Sequence, residues 1–86
     1  MSLKHEIEVA LWGGLKPFAG GEDTVTVWAA TTGDVLREIV KAHPALEDHI
    51  DAGVSVVVNS KVIASSLTHP IPEGAEVVLM PQLKGG

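Results

Sequence analysis

Gly85 and Gly86 stand last in the given sequence, behind Pro81, Leu83 and Lys84, and where the biological chain ends at Gly86 its reactive group is the terminal carboxylate. Glycine lacks a Cβ. A diglycine tail can therefore thread a narrow active site, take dihedrals closed to other residues and leave its carbonyl open to attack. A frayed terminus or a cloning remnant would occupy the same position, because chain ends are often poorly ordered. The chemistry expected of a functional tail is acyl chemistry at Gly86, with Gly85 as its thin approach.

Other chemistry-bearing residues have bland explanations. His5, His43, His49 and His69 titrate nearest neutrality, but no two lie four residues apart and no HExxH pattern occurs, so surface or capping roles are expected. His43, at the end of a predicted helix, suits the negative end of the helix dipole. Glu47, Asp48 and Asp51, and Glu22 with Asp23, read as solvated loop edges rather than acid/base pairs. Gly13-Gly14 and Gly20-Gly21 lack the lysine and serine of a phosphate loop and open no helix directly, so hairpin flexibility accounts for them. Neither a metal nor a bound cofactor is expected.

The absence of cysteine excludes disulfides, thiolate metal sites, cysteine nucleophiles and a protein-bound persulfide. Any sulfur handled here must sit elsewhere. Net charge is −5, from eleven acids and six bases, and the bases are dispersed from Lys4 to Lys84. Phosphate binding needs clustered Lys and Arg, which argues against nucleic acid and for a partner with a basic surface. The 86 residues, 45% hydrophobic and 20% charged, suit one folded domain over 1–86. Its longest apolar runs fall far short of the ~20 residues that span a bilayer, and no signal-peptide pattern opens the chain. No membrane association and a cytoplasmic location are expected.

The elements that must hold the tail follow from periodicity. Ile7, Val9 and Leu11 alternate with Glu6 and Glu8, which predicts a half-buried strand over 6–11. A glycine-rich tip from Gly13 to Gly21, interrupted by Leu15 and Phe18, leads to a second strand over 24–28 and makes a hairpin with a long loop. Thr32 reads as the N-cap of a helix over 33–43, with Asp34 in its first turn and Val35, Leu36, Ile39 and Val40 as its apolar stripe. Pro44 ends it, and a short turn follows over 46–50. Strands are predicted over 54–59, 61–63 and 76–80, with Asn59-Ser60 as a turn. The order is ββαβ(β)β, an α+β fold. One main helix cannot cover both faces of the sheet, so it packs on one face of a single mixed sheet and leaves the other for a partner. Trp12 and Trp28 fall on the parity opposite the apolar positions, as interface anchors or as shields of a sheet edge and hairpin loop.

Several segments, taken in order, resemble the MoaD/ThiS family of ubiquitin-like sulfur carriers, most of all the molybdopterin synthase small subunit. They are Leu11-Trp12-Gly13-Gly14-Leu15-Lys16, Thr32-Gly33-Asp34-Val35-Leu36, Val58-Asn59-Ser60, Ile71-Pro72-Glu73-Gly74-Ala75-Glu76-Val77 and the tail Met80-Pro81-Gln82-Leu83-Lys84-Gly85-Gly86. Departures are Gln82 for the tail's usual second proline, Lys84 for the small residue before the diglycine, and Leu15-Lys16-Pro17 where the family has a Leu-Arg pair. The resemblance implies a β-grasp fold of four to five strands with a flexible tail over 81–86. It also implies a carrier rather than an enzyme. An E1-like partner would use ATP and Mg²⁺, which this chain does not itself bind, to adenylate Gly86 and let sulfur enter as a thiocarboxylate. The sulfur acceptor would be held by the molybdopterin synthase large subunit. Pro81, Leu83 and Lys84 are the expected tail contacts at that partner's channel, and Trp12, Leu15 and Phe18 those of the hairpin tip. Sulfur carriage for thiamine, another metabolite or tRNA, and isopeptide attachment to other proteins, need the same diglycine and stay open beside it. A binding module with an inert tail is the remaining alternative.

Overall fold

The computed structural model describes residues 4–63 and 68–81. Strand β1, His5–Leu11, buries Ile7, Val9 and Leu11 and exposes Glu6 and Glu8, as its alternation dictates. It pairs antiparallel with β2, Thr24–Ala29, in a register that sets Ile7 opposite Val27 and Val9 opposite Val25. The tip between them is a compact turn. A single 3₁₀ turn, Lys16–Ala19, is closed by Gly20 and Gly21 at φ 68° and 84°, backbone that glycine adopts without strain.

Helix α1 spans Thr32–Ala42, and its N-cap is Thr31 rather than the expected Thr32. Thr31 is extended and its hydroxyl accepts the Asp34 N–H at 3.2 Å, whereas Thr32 is already helical and buried. The Asp34 carboxylate in turn accepts the Ala30 N–H at 3.1 Å. That bond is the main cause holding the Asp34 carboxyl below its ordinary pKa. Helix α1 stops ahead of Pro44, with the His43 N–H donating to the Ile39 carbonyl. In place of the expected turn over 46–50, a 3₁₀ turn, Pro44–Leu46, runs into a short helix α2, Glu47–Ala52.

Strand β3, Val54–Val58, ends one residue earlier than expected because Asn59 and Ser60 both take positive φ, 49° and 70°. Two such residues make the tight hairpin turn whose twist matches the strands it joins, here β3 and β4, Lys61–Ile63. Strand β5 is Val77–Pro81, one residue later than expected. Glu76 serves the turn instead, its N–H donating to Asn59 Oδ1 at 2.9 Å. The sheet order is β2-β1-β5-β3-β4, with β5 parallel to β1 and antiparallel to β3. A hairpin, a crossing helix and a last strand inserted beside the first make this a β-grasp fold.

The core lies between sheet and α1. Val35 and Ile39 are its helical members, against Ile7, Val9, Val27, Val56 and Leu79. Leu36 and Val40, expected beside them, are half-buried and turn towards a groove between α1 and β3. Leu15, Leu46 and Ile71, all from outside the strands, close the ends of the core.

Candidate functional site

Strand β5 delivers the end of the chain. Because it runs parallel to β1, both strands leave the sheet at the same end, where the Trp12 N–H donates to the Leu79 carbonyl at 3.0 Å. Pro81 is the last residue of β5 and faces Val54 across the β5–β3 ladder. Expected as the first residue of the tail, Pro81 is half-buried in the sheet and fixes where residues 82–86 begin. Leu83, Lys84, Gly85 and Gly86 lie outside the described residues.

Around that exit the side chains sort by parity. On the face opposite α1, the registers align Ala10, Val78, Val57 and Val62 in one row across four strands. Val62 is 60% exposed, and Trp12 and Trp28, on the same face, are 49% and 59% exposed. Trp12 stands beside the tail exit, at the end of a central strand. Trp28 stands on β2, a sheet edge, opposite Glu6.

The hairpin tip brings together only part of what the sequence suggested. Phe18 is 40% exposed and rests on the imidazole of His49, ring centroids 4.0 Å apart, so the tip is fastened to α2. Lys16 pairs with Asp23 at 2.9 Å across its base. Leu15, expected on the partner surface, is only 2% exposed and belongs to the core. The reason is local. The Leu15 N–H donates to the Trp12 carbonyl and the Phe18 N–H to the Leu15 carbonyl, so the chain coils at Leu15 and turns its side chain inward. Strand alternation stops at Leu11, so this coil and not a strand period sets the direction of Leu15.

Among the described residues no three of His, Cys, Asp or Glu are grouped to hold a metal ion, and no helix is long and apolar enough to cross a membrane. The groove on the helix side, lined by Leu36, Val40, Ile50, Val54 and Ile63, opens on the face away from Trp12 and the apolar row. The apolar row itself is legible only from pairing. The registers turn Val57, Val62 and Val78 outward.

The model of the ThiS family matches residues 9–86, from the middle of β1 through the diglycine. The chain belongs to the ThiS family. Its members are ubiquitin-like sulfur carriers. The structure is similar to that of SAMP1 from Haloferax volcanii, with 30% identity over 95% of this chain and 100% of that one and a TM-score of 0.73. It also matches the Amycolatopsis orientalis BexX/CysO complex at 20% identity over 93% and 99% of the two chains, with a TM-score of 0.74. A complex of subunits 1 and 2 of the molybdopterin-converting factor from Helicobacter pylori matches at 23% identity over 95% and 100%, with a TM-score of 0.67. The last two likenesses speak for the ThiS-like fold alone. No curated protein matches the chain.

Proposed function

We propose that this cytoplasmic chain carries sulfur as a thiocarboxylate on Gly86 and donates it as the small subunit of molybdopterin synthase. The observation that carries the reading is the ThiS-family match running unbroken through Gly86, on a fold whose central strand ends at Pro81 beside an exposed apolar face. A carboxylate is a poor electrophile. An E1-like enzyme therefore joins a Gly86 oxygen to the α-phosphorus of ATP, with Mg²⁺ neutralising the phosphates and pyrophosphate leaving. Hydrosulfide then attacks the acyl carbon and AMP departs, which leaves the thiocarboxylate. Its sulfur attacks a carbon of the acceptor and displaces that carbon's leaving group, and water hydrolyses the acyl–sulfur link, returning Gly86 as a carboxylate.

This chain's part is positioning. Gly85 keeps the approach thin, Pro81 roots the tail in the sheet, and Leu83 and Lys84 lie along the partner's channel. Trp12 and Phe18, with the apolar row, hold the sheet against the acceptor enzyme. The chemistry belongs to the partners, and the chain serves as co-substrate. That solved complexes of similar small proteins pair them with a second subunit, as in the Helicobacter pylori molybdopterin-converting factor, supports an acceptor of this kind.

A second reading has its own support. The 30% identity to an archaeal protein described as a small modifier favours isopeptide attachment to lysines of other proteins. Carriage of sulfur towards thiamine or tRNA uses the same thiocarboxylate and differs only in the acceptor. The test is intact-mass measurement after incubation with the adenylating enzyme of the same cell, ATP and a sulfur source. One oxygen-to-sulfur exchange in the C-terminal peptide, abolished by deleting Gly86, is the expected result. Lysine conjugates without thiocarboxylate would move the chain to the modifier class, and normal activation without Gly86 would end both readings.

A further inference from the structure

Strand β1 pairs with β2 over 5–10 and with β5 over 9–11, and two of its outward positions are glutamates. Glu6 lies opposite Trp28 and Glu8 opposite Thr26. Glu76, also exposed, stands one residue before the Val77–Val9 pair, as Glu8 does on β1. Val9 and Val77 are buried against α1, which sets Glu8 and Glu76 on the opposite face. Glutamate is disfavoured in strands, and like charges side by side on a sheet repel. Among the described residues the ion pairs are Lys16–Asp23, Arg37–Asp34 and Lys41–Glu38, and none engages these three acids.

The face is thus divided along the strand axis. Nearest the tail exit stand Trp12 and the row Ala10, Val78, Val57 and Val62. At about 3.3 Å per residue, Glu8 and Glu76 lie about 7 Å from that row and Glu6 about 13 Å, on the side away from Pro81. We infer that the acceptor enzyme meets this face with an apolar ridge beside its channel mouth and Lys or Arg side chains about 7–13 Å farther out, opposite Glu6, Glu8 and Glu76. The inference rests on the function proposed above and names the partner's chemistry. Three acids on one face disfavour nucleic acid, and stacking two such faces against each other disfavours a second copy of this chain. The apolar row supplies affinity, while the acids set orientation and the rate of encounter.

The experiment measures association of the full chain with the purified large subunit of the same organism's molybdopterin synthase, by stopped flow at low and at high salt. The probe variant is Glu6→Gln, Glu8→Gln and Glu76→Gln together, which keeps each side chain's shape. The expected result is an association rate about 10-fold lower for the variant at low salt, with the difference vanishing at about 1 M salt, where the screening length falls to roughly 3 Å. A purely structural role for the acids would leave the salt dependence of the rate unchanged. Equal rates for wild type and variant at low salt overturn the inference and leave the proposed function standing. Absence of any binding by the wild-type chain overturns both. Salt-dependent self-association lost in the variant would instead assign the face to a second copy.

Discussion

Thr31 and Asp34 close the start of α1 reciprocally, the Thr31 hydroxyl accepting the Asp34 N–H at 3.2 Å while the Asp34 carboxylate reaches back to the Ala30 N–H at 3.1 Å. The same stretch is stitched to the loop before β5, because the Thr32 N–H donates to the His69 carbonyl and the Ile71 N–H to that of Ala30. Helix start and loop are therefore one structural unit. It brings Ile71 into the core at the end of the sheet opposite the tail.

Removing either half of this cap should weaken the fold. Thr31→Ala is expected to cost about 1 kcal/mol in urea denaturation, the usual loss for an N-cap hydroxyl. The Asp34 carboxyl has a folded-state pKa below its ordinary 3.8, so its contribution is complete above that value and is lost as pH falls through the folded pKa. Asp34→Asn should accordingly flatten the fall in stability between pH 5 and pH 2, a range spanning the shift that linkage assigns to about this window. An unchanged acid limb in the variant would show that other carboxylates control it.

Two core positions should respond alike despite their different sequence contexts. Ile39, in mid-helix, and Leu15, in the hairpin tip, are each 2% exposed or less. Either one changed to Ala is expected to cost about 2–5 kcal/mol. A loss under 1 kcal/mol at Leu15, by thermal or chemical melt, would return it to the surface.

Trp12 should behave in the opposite way. Trp12→Ala is expected to leave the domain folded but to weaken acceptor binding about 30-fold, matching roughly 2 kcal/mol for an aromatic anchor. Calorimetry of binding alongside a melting curve separates the two effects. Loss of cooperative unfolding would place Trp12 in the core.

The β3–β4 turn offers a stabilising change. Ser60 sits at φ 70°, where a side chain is strained and glycine is not. Ser60→Gly is expected to gain up to about 1 kcal/mol, since Asn-Gly is the favoured pair for such turns. A loss in denaturant midpoint would mean that the Ser60 side chain makes up for its strain.

Alternation located β1 and β2 and helical periodicity α1, because a half-buried face writes its own period into the sequence, while β3, β4 and β5 followed from β-branched runs and the turn residues between them. Residues that seal the core from loops, Leu15, Leu46 and Ile71, follow no period, and their burial depends on coils that only the folded chain defines. The N-cap slipped by one because Thr31 and Thr32 are equally good caps by composition, and only the extended backbone of Thr31 decides between them. The outward parity of Trp12 and Trp28 was legible. The acidic half of the face was not, since Glu76 joins Glu6 and Glu8 only through the parallel pairing of strands distant in sequence.

That parallel pairing also governs how the molecule is made. The strand synthesised last, β5, is the middle of the sheet, lying between β1 and β3. While it is held in the ribosome, the β1–β2 and β3–β4 hairpins have no seam, and two long open edges invite pairing with other nascent chains. Sheet closure therefore waits for β5, and it draws together segments far apart in the chain, a slow class of contact. A chain truncated before Val77 loses the strand that joins the two hairpins, and with it the row across β1, β5, β3 and β4 and the place of Pro81 in the sheet.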